Sequence, residues 1–236
     1  MNSKKLFIHI PKNAGLTVRR SLSDYIITCN KNTLIDEEYK NNLIETMNKA
    51  NEHYGFEHAR WRDIKKSLTN KYQAFAIIRN PWTKVVSRYM YGLRAIENGR
   101  APENYIPKKF EEFLEQRFEY QNKEYYWHRA TKGWYPQKDH VVDDNNNIKC
   151  DILRFEYFND DIKSYLNLPE DFKIKSSNNY HRGNKDPKWA KWDIDYKTLY
   201  TNSTIQIVAD WYKNDIDLFD FDYDTAARKN IWNINI

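Results

Sequence analysis

The sequence predicts a single α/β domain over 1–236, a parallel β-sheet with helices on both faces and a helical, aromatic-rich peripheral lobe at 97–147. Three observations predict it. Short apolar runs without polar alternation suit strands buried on both faces, and they stop at turn residues. Amphipathic stretches follow them at helical spacing. Strands and helices therefore alternate, as a parallel sheet with crossover helices requires.

The first strand is Lys5-Leu6-Phe7-Ile8-His9-Ile10, ended by Pro11. Val18, Leu22, Tyr25 and Ile26 then recur at offsets 0, 4, 7 and 8, the stripe of a helix for which Thr17 is the candidate N-cap. A polar helix is expected from about Asp36 to Asn51, and His53 to His58 as a loop or short strand. Ala74-Phe75-Ala76-Ile77-Ile78 forms the second core strand. Asn80 can cap the next helix, and Pro81 fits its first turn, where a missing N–H costs nothing. Trp82, Val85, Val86, Tyr89 and Leu93 give that helix its apolar face. In the lobe a helix is expected around Phe110, Phe113, Leu114, Arg117 and Phe118. Asp143 to Asn147 is a turn cluster, Ile148 to Phe155 a third strand, Asp160 to Leu168 a helix, and Tyr196 to Phe219 largely helical.

Composition excludes several classes. The mean hydropathy of −0.94 would suit disorder, but 8 Trp, 18 Tyr and 11 Phe supply core area that disordered chains lack. With 6 Gly and 7 Pro the chain is neither collagen-like nor low-complexity. The net charge of +5 favours an anionic ligand without demanding nucleic acid. Cys29 and Cys150 are too few for a disulfide framework, which fits a reduced compartment. The apolar run Leu6 to Ile10 is too short for a signal peptide core or a membrane span.

Chemistry concentrates in two windows. Pro11-Lys12-Asn13-Ala14-Gly15-Leu16-Thr17 joins the first strand to the first helix, where backbone N–H groups and the helix dipole favour an anion. Lys12 adds a point charge, Gly15 permits close backbone approach, and Thr17 offers a hydroxyl. The lysine precedes the glycine, so this is not a Walker A loop, and no magnesium-binding aspartate ends the second strand. The second window, Arg79 to Tyr89, places Lys84, Ser87 and Arg88 on a polar, basic helix face opposite the core face. Two anion-binding strand ends suggest a ligand with two separated phosphate-like groups.

Together the windows resemble the sulfotransferase superfamily, especially the branch of membrane-bound carbohydrate sulfotransferases. The first matches a motif like H-I-P-K-x-x-G-x-[ST], here His9 to Thr17, which in that family grips the 5'-phosphosulfate of the donor PAPS (3'-phosphoadenosine 5'-phosphosulfate). The second matches R-[ND]-P-x-x-R-x-x-S-x-Y, whose arginine and serine, here Arg79 and Ser87, bind the 3'-phosphate. Lys84 stands where the family usually has arginine, keeping the charge and losing the bidentate fork. Cys150 to Glu156 resembles a later family strand, and Arg182, in Tyr180 to Lys185, lies where the family closes a loop over the 3'-phosphate. The resemblance implies a P-loop-like sheet, a PAPS-dependent enzyme without a metal, and a hydroxyl acceptor, expected to be a saccharide. Cofactor contacts are expected from Pro11, Lys12, Asn13, Ala14, Gly15, Leu16, Thr17, Arg79, Ser87 and Arg182.

Sulfuryl transfer should pass through a loose in-line transition state, so Lys12 is the candidate for stabilising leaving-group charge. The attacking hydroxyl must lose a proton, which calls for a general base. His58 is favoured, as the resembling enzymes place a histidine in a similar G-x-x-H setting; His53 is second and Asp24 third, since other branches use an acidic base there. His9 is expected to pack or orient the loop, while His128, His140 and His181 have no positional argument. Trp127, Trp134 and Tyr135 could stack on a sugar, although such residues more often pack. A Lys-x-x-Gly loop alone is usually a turn; the second motif shifts that balance. Two other functions remain: a P-loop-type small-molecule or nucleotide kinase, and a non-enzymatic nucleic-acid binder. The expected setting is cytoplasmic, with no nucleic-acid or membrane partner.

Overall fold

The computed structural model describes residues 3–34, 37–49, 53–120, 134–174, 194–228 and 230–232. Four strands form one parallel sheet: β1 (Lys5–Ile8), β2 (Ile26–Thr28), β3 (Ala74–Ile78) and β4 (Asp151–Arg154), in the order β2-β1-β3-β4. The α/β class is as the apolar runs predict. Leu6, Phe7 and Ile8 are buried on both faces, as are all five residues of β3, which is why neither strand alternates.

The register alternates side chains between two cores. Phe7, Phe75, Ile77 and Leu153 pack with Val18 of α1 (Gly15–Ser21) and with Leu22, which caps it, on one face of the sheet. Leu6, Ile8, Ala76, Ile78 and Ile152 pack against the other layer. Between β2 and β3 lie α2 (Glu37–Lys49) and α3 (Lys66–Thr69), with 3₁₀ turns at Phe56–His58 and Trp61–Asp63. Helix α4 (Pro81–Glu97) follows β3, then α5 (Phe110–Glu115) and α6 (Lys138–Val141). After β4 come α7 (Phe158–Leu166), α8 (Asn202–Trp211) and α9 (Lys213–Phe219).

The sheet corrects one expected element. The first helix stops at Ser21, and Ile26, assigned to its stripe, begins β2 and pairs with Lys5. Ile26-Ile27-Thr28 is β-branched throughout, so pairing with β1 outweighs a helical continuation. Asn80 caps α4 as expected, its Oδ1 accepting from Trp82 N at 3.0 Å and Thr83 N at 3.4 Å. Its Nδ2 also donates to the Asp222 and Thr225 carbonyls, both at 2.8 Å, which ties the C-terminal segment to the end of β3.

Candidate functional site

The strand order reverses between β1 and β3, because β2 lies on one side of β1 and β3 on the other. Connections leaving the carboxyl ends of such a pair diverge and open a crevice. Both sequence windows start there. After β1 the chain turns sharply, with Asn13 N donating to Ile10 O at 3.3 Å. Lys12 (φ 70) and Ala14 (φ 60) are both left-handed, a conformation uncommon outside glycine. Ala14 is the residue before α1, so a left-handed residue meets a right-handed one, the backbone pattern from which anion-binding nests are built. Thr17 is therefore inside the helix, not its N-cap, and is buried; Pro11 is buried too, while Leu16 is exposed.

Gly15 has a different reason from close approach of a ligand. A Cβ there would lie 1.7 Å from Nε2 of His9, whose ring fills that space. The glycine is demanded by a histidine six residues earlier.

Arg79, the first residue after β3, reaches across to this loop. Its Nη1 donates to Lys12 O at 3.0 Å, its Nε donates to Thr83 Oγ1 at 2.9 Å, and its guanidinium lies 4.1 Å from the centre of the Phe155 ring. Burial lowers its pKa to about 10. Ser87 is half-buried one turn beyond Thr83 on the same side of α4. Lys12 is pushed well below the ordinary lysine range by burial, then by Arg88, Arg94 and Arg79, and its ammonium stands 4.2 Å over the Tyr91 ring. Arg79, Arg88 and Arg94 thus all act against the charge on Lys12, an arrangement that a multiply charged anion would relieve.

The histidines gather beside the loop. His58 and His9 have ring centroids 4.4 Å apart, and His58 Nδ1 lies 2.9 Å from His9 O. A carbonyl only accepts, so Nδ1 carries the proton and the Nε2 lone pair is the basic one. Burial lowers the His58 pKa, favouring the neutral form a base needs. His140, fully buried, is close enough to help lower the pKa of His9, and His58 in turn helps lower that of His140. His53 uses its Nδ1 to accept from Gly55 N at 3.1 Å, which makes it part of the turn before His58. Asp24 is exposed beside the start of β1, where Lys5 N donates to Tyr25 O at 3.0 Å. A strand length, roughly 10 Å, separates it from the loop, so it is not at the site.

A family model described as Sulfotransferase family matches residues 2–222, nearly the whole chain. The chain belongs to the sulfotransferase family. No curated protein matches it. Among solved structures it is similar to a sulfotransferase from Alicyclobacillus acidocaldarius, with 17% identity over 94% of this chain and 98% of that one, and a TM-score of 0.46.

This sulfotransferase departs from the expected basic helix face. Lys84 and Arg88 are 1% and 4% exposed. Lys84 Nζ donates to Tyr135 O at 3.2 Å and lies 4.8 Å over the Tyr212 ring, with buried Asp215 as counter-charge. Burial lowers its pKa to about 8. Arg88 donates to Tyr105 Oη at 2.9 Å. The face is covered because α9 and the segment before α6 pack on it and bring Asp215 and Tyr135. Trp134 is likewise core, against Phe113, and Tyr135 accepts from Arg60 at 3.1 Å.

Arg182, His128, His181 and Trp127 lie outside the described residues. Two groups at the sulfotransferase site carried no sequence signal: Gln137, which bonds both Asn13 and Arg79, and Glu156, whose Oε1 accepts from Asn80 N at 2.9 Å. Among the described residues, no group of three or more His, Cys, Asp or Glu could hold a metal ion, and no helix is long and apolar enough to cross a membrane.

Proposed function

We propose that this sulfotransferase takes its sulfuryl group from PAPS and delivers it in line to a hydroxyl of a saccharide, with His58 as general base. The observation that carries the reading is the Arg79–Lys12 hydrogen bond, 3.0 Å, because it puts the two anion-gripping motifs side by side at one strand end. The chain's residues then divide the work. The loop Pro11 to Thr17, through the backbone N–H groups that follow Pro11, and the Lys12 ammonium hold the 5'-phosphosulfate, and Lys12 offsets the charge that grows on the leaving phosphate. Arg79 and Ser87 hold the 3'-phosphate, with Arg182 as a third contact. His58 takes the acceptor's proton at Nε2, while the His9 carbonyl keeps Nδ1 protonated and the ring oriented. His9 in turn fills the space over Gly15, which locks base and loop together. Segment 97–147 is the acceptor-side lobe. Cys29 and Cys150 are both unpaired thiols, which supports a cytoplasmic setting.

Thermal unfolding with adenosine 3',5'-bisphosphate, ATP with magnesium, and adenosine 5'-phosphate tests the donor. At a hundredfold excess over Kd a specific ligand adds about 2.7 kcal/mol, about 5 to 10 °C for this size. A shift with the bisphosphate that a chelator leaves unchanged supports the reading. No shift with the bisphosphate refutes it, and a magnesium-dependent shift with ATP alone refutes it in favour of a kinase.

A further inference from the structure

We infer that Gln137 is a positioning residue for sulfuryl transfer: its carboxamide sets the spacing between the two donor-gripping motifs. The inference rests on the donor reading above. Gln137 is fully buried immediately before α6, at a position to which the sequence assigned no role. Its Oε1 accepts from Asn13 Nδ2 at 2.6 Å and from Arg79 N at 2.9 Å, and its Nε2 donates to Arg79 O at 2.8 Å. Pairing with both the N–H and the C=O of one residue copies what a neighbouring strand would do, so Gln137 extends the sheet by one side chain beyond β3. Asn13 Nδ2 also donates to Ile77 O at 2.7 Å. Loop and strand end are thus clamped to the same amide, one residue from Lys12 and at Arg79 itself.

The clamp has its own anchor. Asp215 of α9, fully buried, accepts from Gln137 N and Lys138 N with its two carboxylate oxygens, both at 2.8 Å. Lys84 stands beside it as counter-charge. Gln137 is therefore held at both ends, its backbone by α9 and its side chain by the two motifs. A donor spanning the loop and Arg79 requires these two segments at one fixed separation. A side chain that bonds both, and whose own backbone is fixed, supplies that separation before the ligand arrives.

The test compares wild type, Arg79→Ala, Gln137→Met and Gln137→Glu by calorimetric titration with adenosine 3',5'-bisphosphate and by steady-state kinetics. Gln137→Met keeps the length and removes all three side-chain bonds. Its Kd for the bisphosphate and its KM for PAPS rise about tenfold or more, while kcat at saturating donor stays within about threefold, since Lys12 and His58 are untouched. Gln137→Glu binds weakly at about pH 8 and recovers, relative to wild type at the same pH, at about pH 5.5, where the protonated acid donates to Arg79 O as Nε2 does. Wild-type affinity in Gln137→Met, or a Gln137→Glu defect independent of pH, overturns the inference and leaves the donor site standing, provided Arg79→Ala weakens binding. No binding by wild type, or binding that Arg79→Ala leaves intact, overturns the donor reading and the inference with it. If the Gln137 variants do not fold, the wild-type chain decides: exchange of the Gln137 carboxamide protons, followed by NMR, slows about tenfold or more at saturating bisphosphate. Unchanged exchange overturns the inference.

Discussion

Gly15→Ala isolates the contact between loop and histidine. The new Cβ would lie 1.7 Å from Nε2, 1.8 Å from Cδ2 and 2.5 Å from Cε1 of His9. Unstrained contacts need about 3.5 to 4.0 Å, so the ring must retreat by about 2 Å. It has little room to do so, with Phe7 at 5.7 Å and His58 at 4.4 Å between ring centres. Overpacking of this kind costs about 1 to 3 kcal/mol, which lowers the melting temperature by about 2 to 12 °C in a chain this long. Turnover should fall as well, because the displaced His9 ring is pressed toward His58, whose ring centre lies 4.4 Å away. The informative experiment is a double-mutant cycle with His9→Ala, followed by thermal unfolding. Removing the ring opens the space the methyl needs, so Gly15→Ala should cost far less in the His9→Ala background, with a coupling of about 1 to 3 kcal/mol. A Gly15→Ala variant as stable as wild type, or equally destabilised in both backgrounds, refutes the argument.

The other perturbations act on charge and proton. His58→Ala should lower kcat by about 100- to 10,000-fold with bisphosphate affinity unchanged; titration and turnover on one preparation separate these, and equal activity would move the base to His53. Arg79→Lys keeps a charge but cannot bond Lys12 O and Thr83 Oγ1 together, so donor KM should rise by about tenfold or more, measured by initial rates at varied PAPS. His9, His58 and His140 all have folded pKa values below 6.5, chiefly through burial. The unfolded chain then binds protons that the folded one refuses, so stability is full above about pH 6.5 and falls as pH drops below it, by about 1.4 kcal/mol per pH unit for each histidine. Urea unfolding across that range shows the slope, and His140→Gln should reduce it; a flat profile would contradict neutral burial. Lys84→Met leaves Asp215 buried without its counter-charge and should destabilise by about 3 to 5 kcal/mol, read by urea unfolding.

Legibility in the sequence followed the range of the interaction. β3 and the cap of α4 were visible because a five-residue apolar run and an Asn-Pro pair act through their own neighbours. β2 was hidden because Ile26 fits a helical stripe as well as a strand, and only its pairing with Lys5 of β1 decides between them. The two anion motifs were legible as motifs. Their convergence on one ligand was expected as well; the direct Arg79–Lys12 hydrogen bond was not, since only the strand order brings these two residues together. The basic face of α4 was misread for the same reason: Lys84 looks solvated until Asp215, far along the chain, is placed beside it.

The proposed general base shows how topology narrows what residue type leaves open. Histidine and aspartate can both take a proton, so chemistry alone kept Asp24 in contention beside His58 and His53. In a parallel sheet all strands share one carboxyl edge, and the anion loop, Arg79 and the turn bearing His58 stand there. Asp24 precedes a strand instead of following one, which puts it at the amino edge whatever its acidity. Between the histidines a single bond discriminates. The Nδ1 of His53 accepts from Gly55 N and is used up in shaping a turn, whereas the Nδ1 of His58 donates to His9 O and directs the lone pair to Nε2. The carbonyl that selects the tautomer belongs to the residue whose ring Gly15 makes room for. The orientation of the proposed base is therefore tied to the loop after β1, and any change that reshapes the loop should register in proton transfer as well as in donor binding.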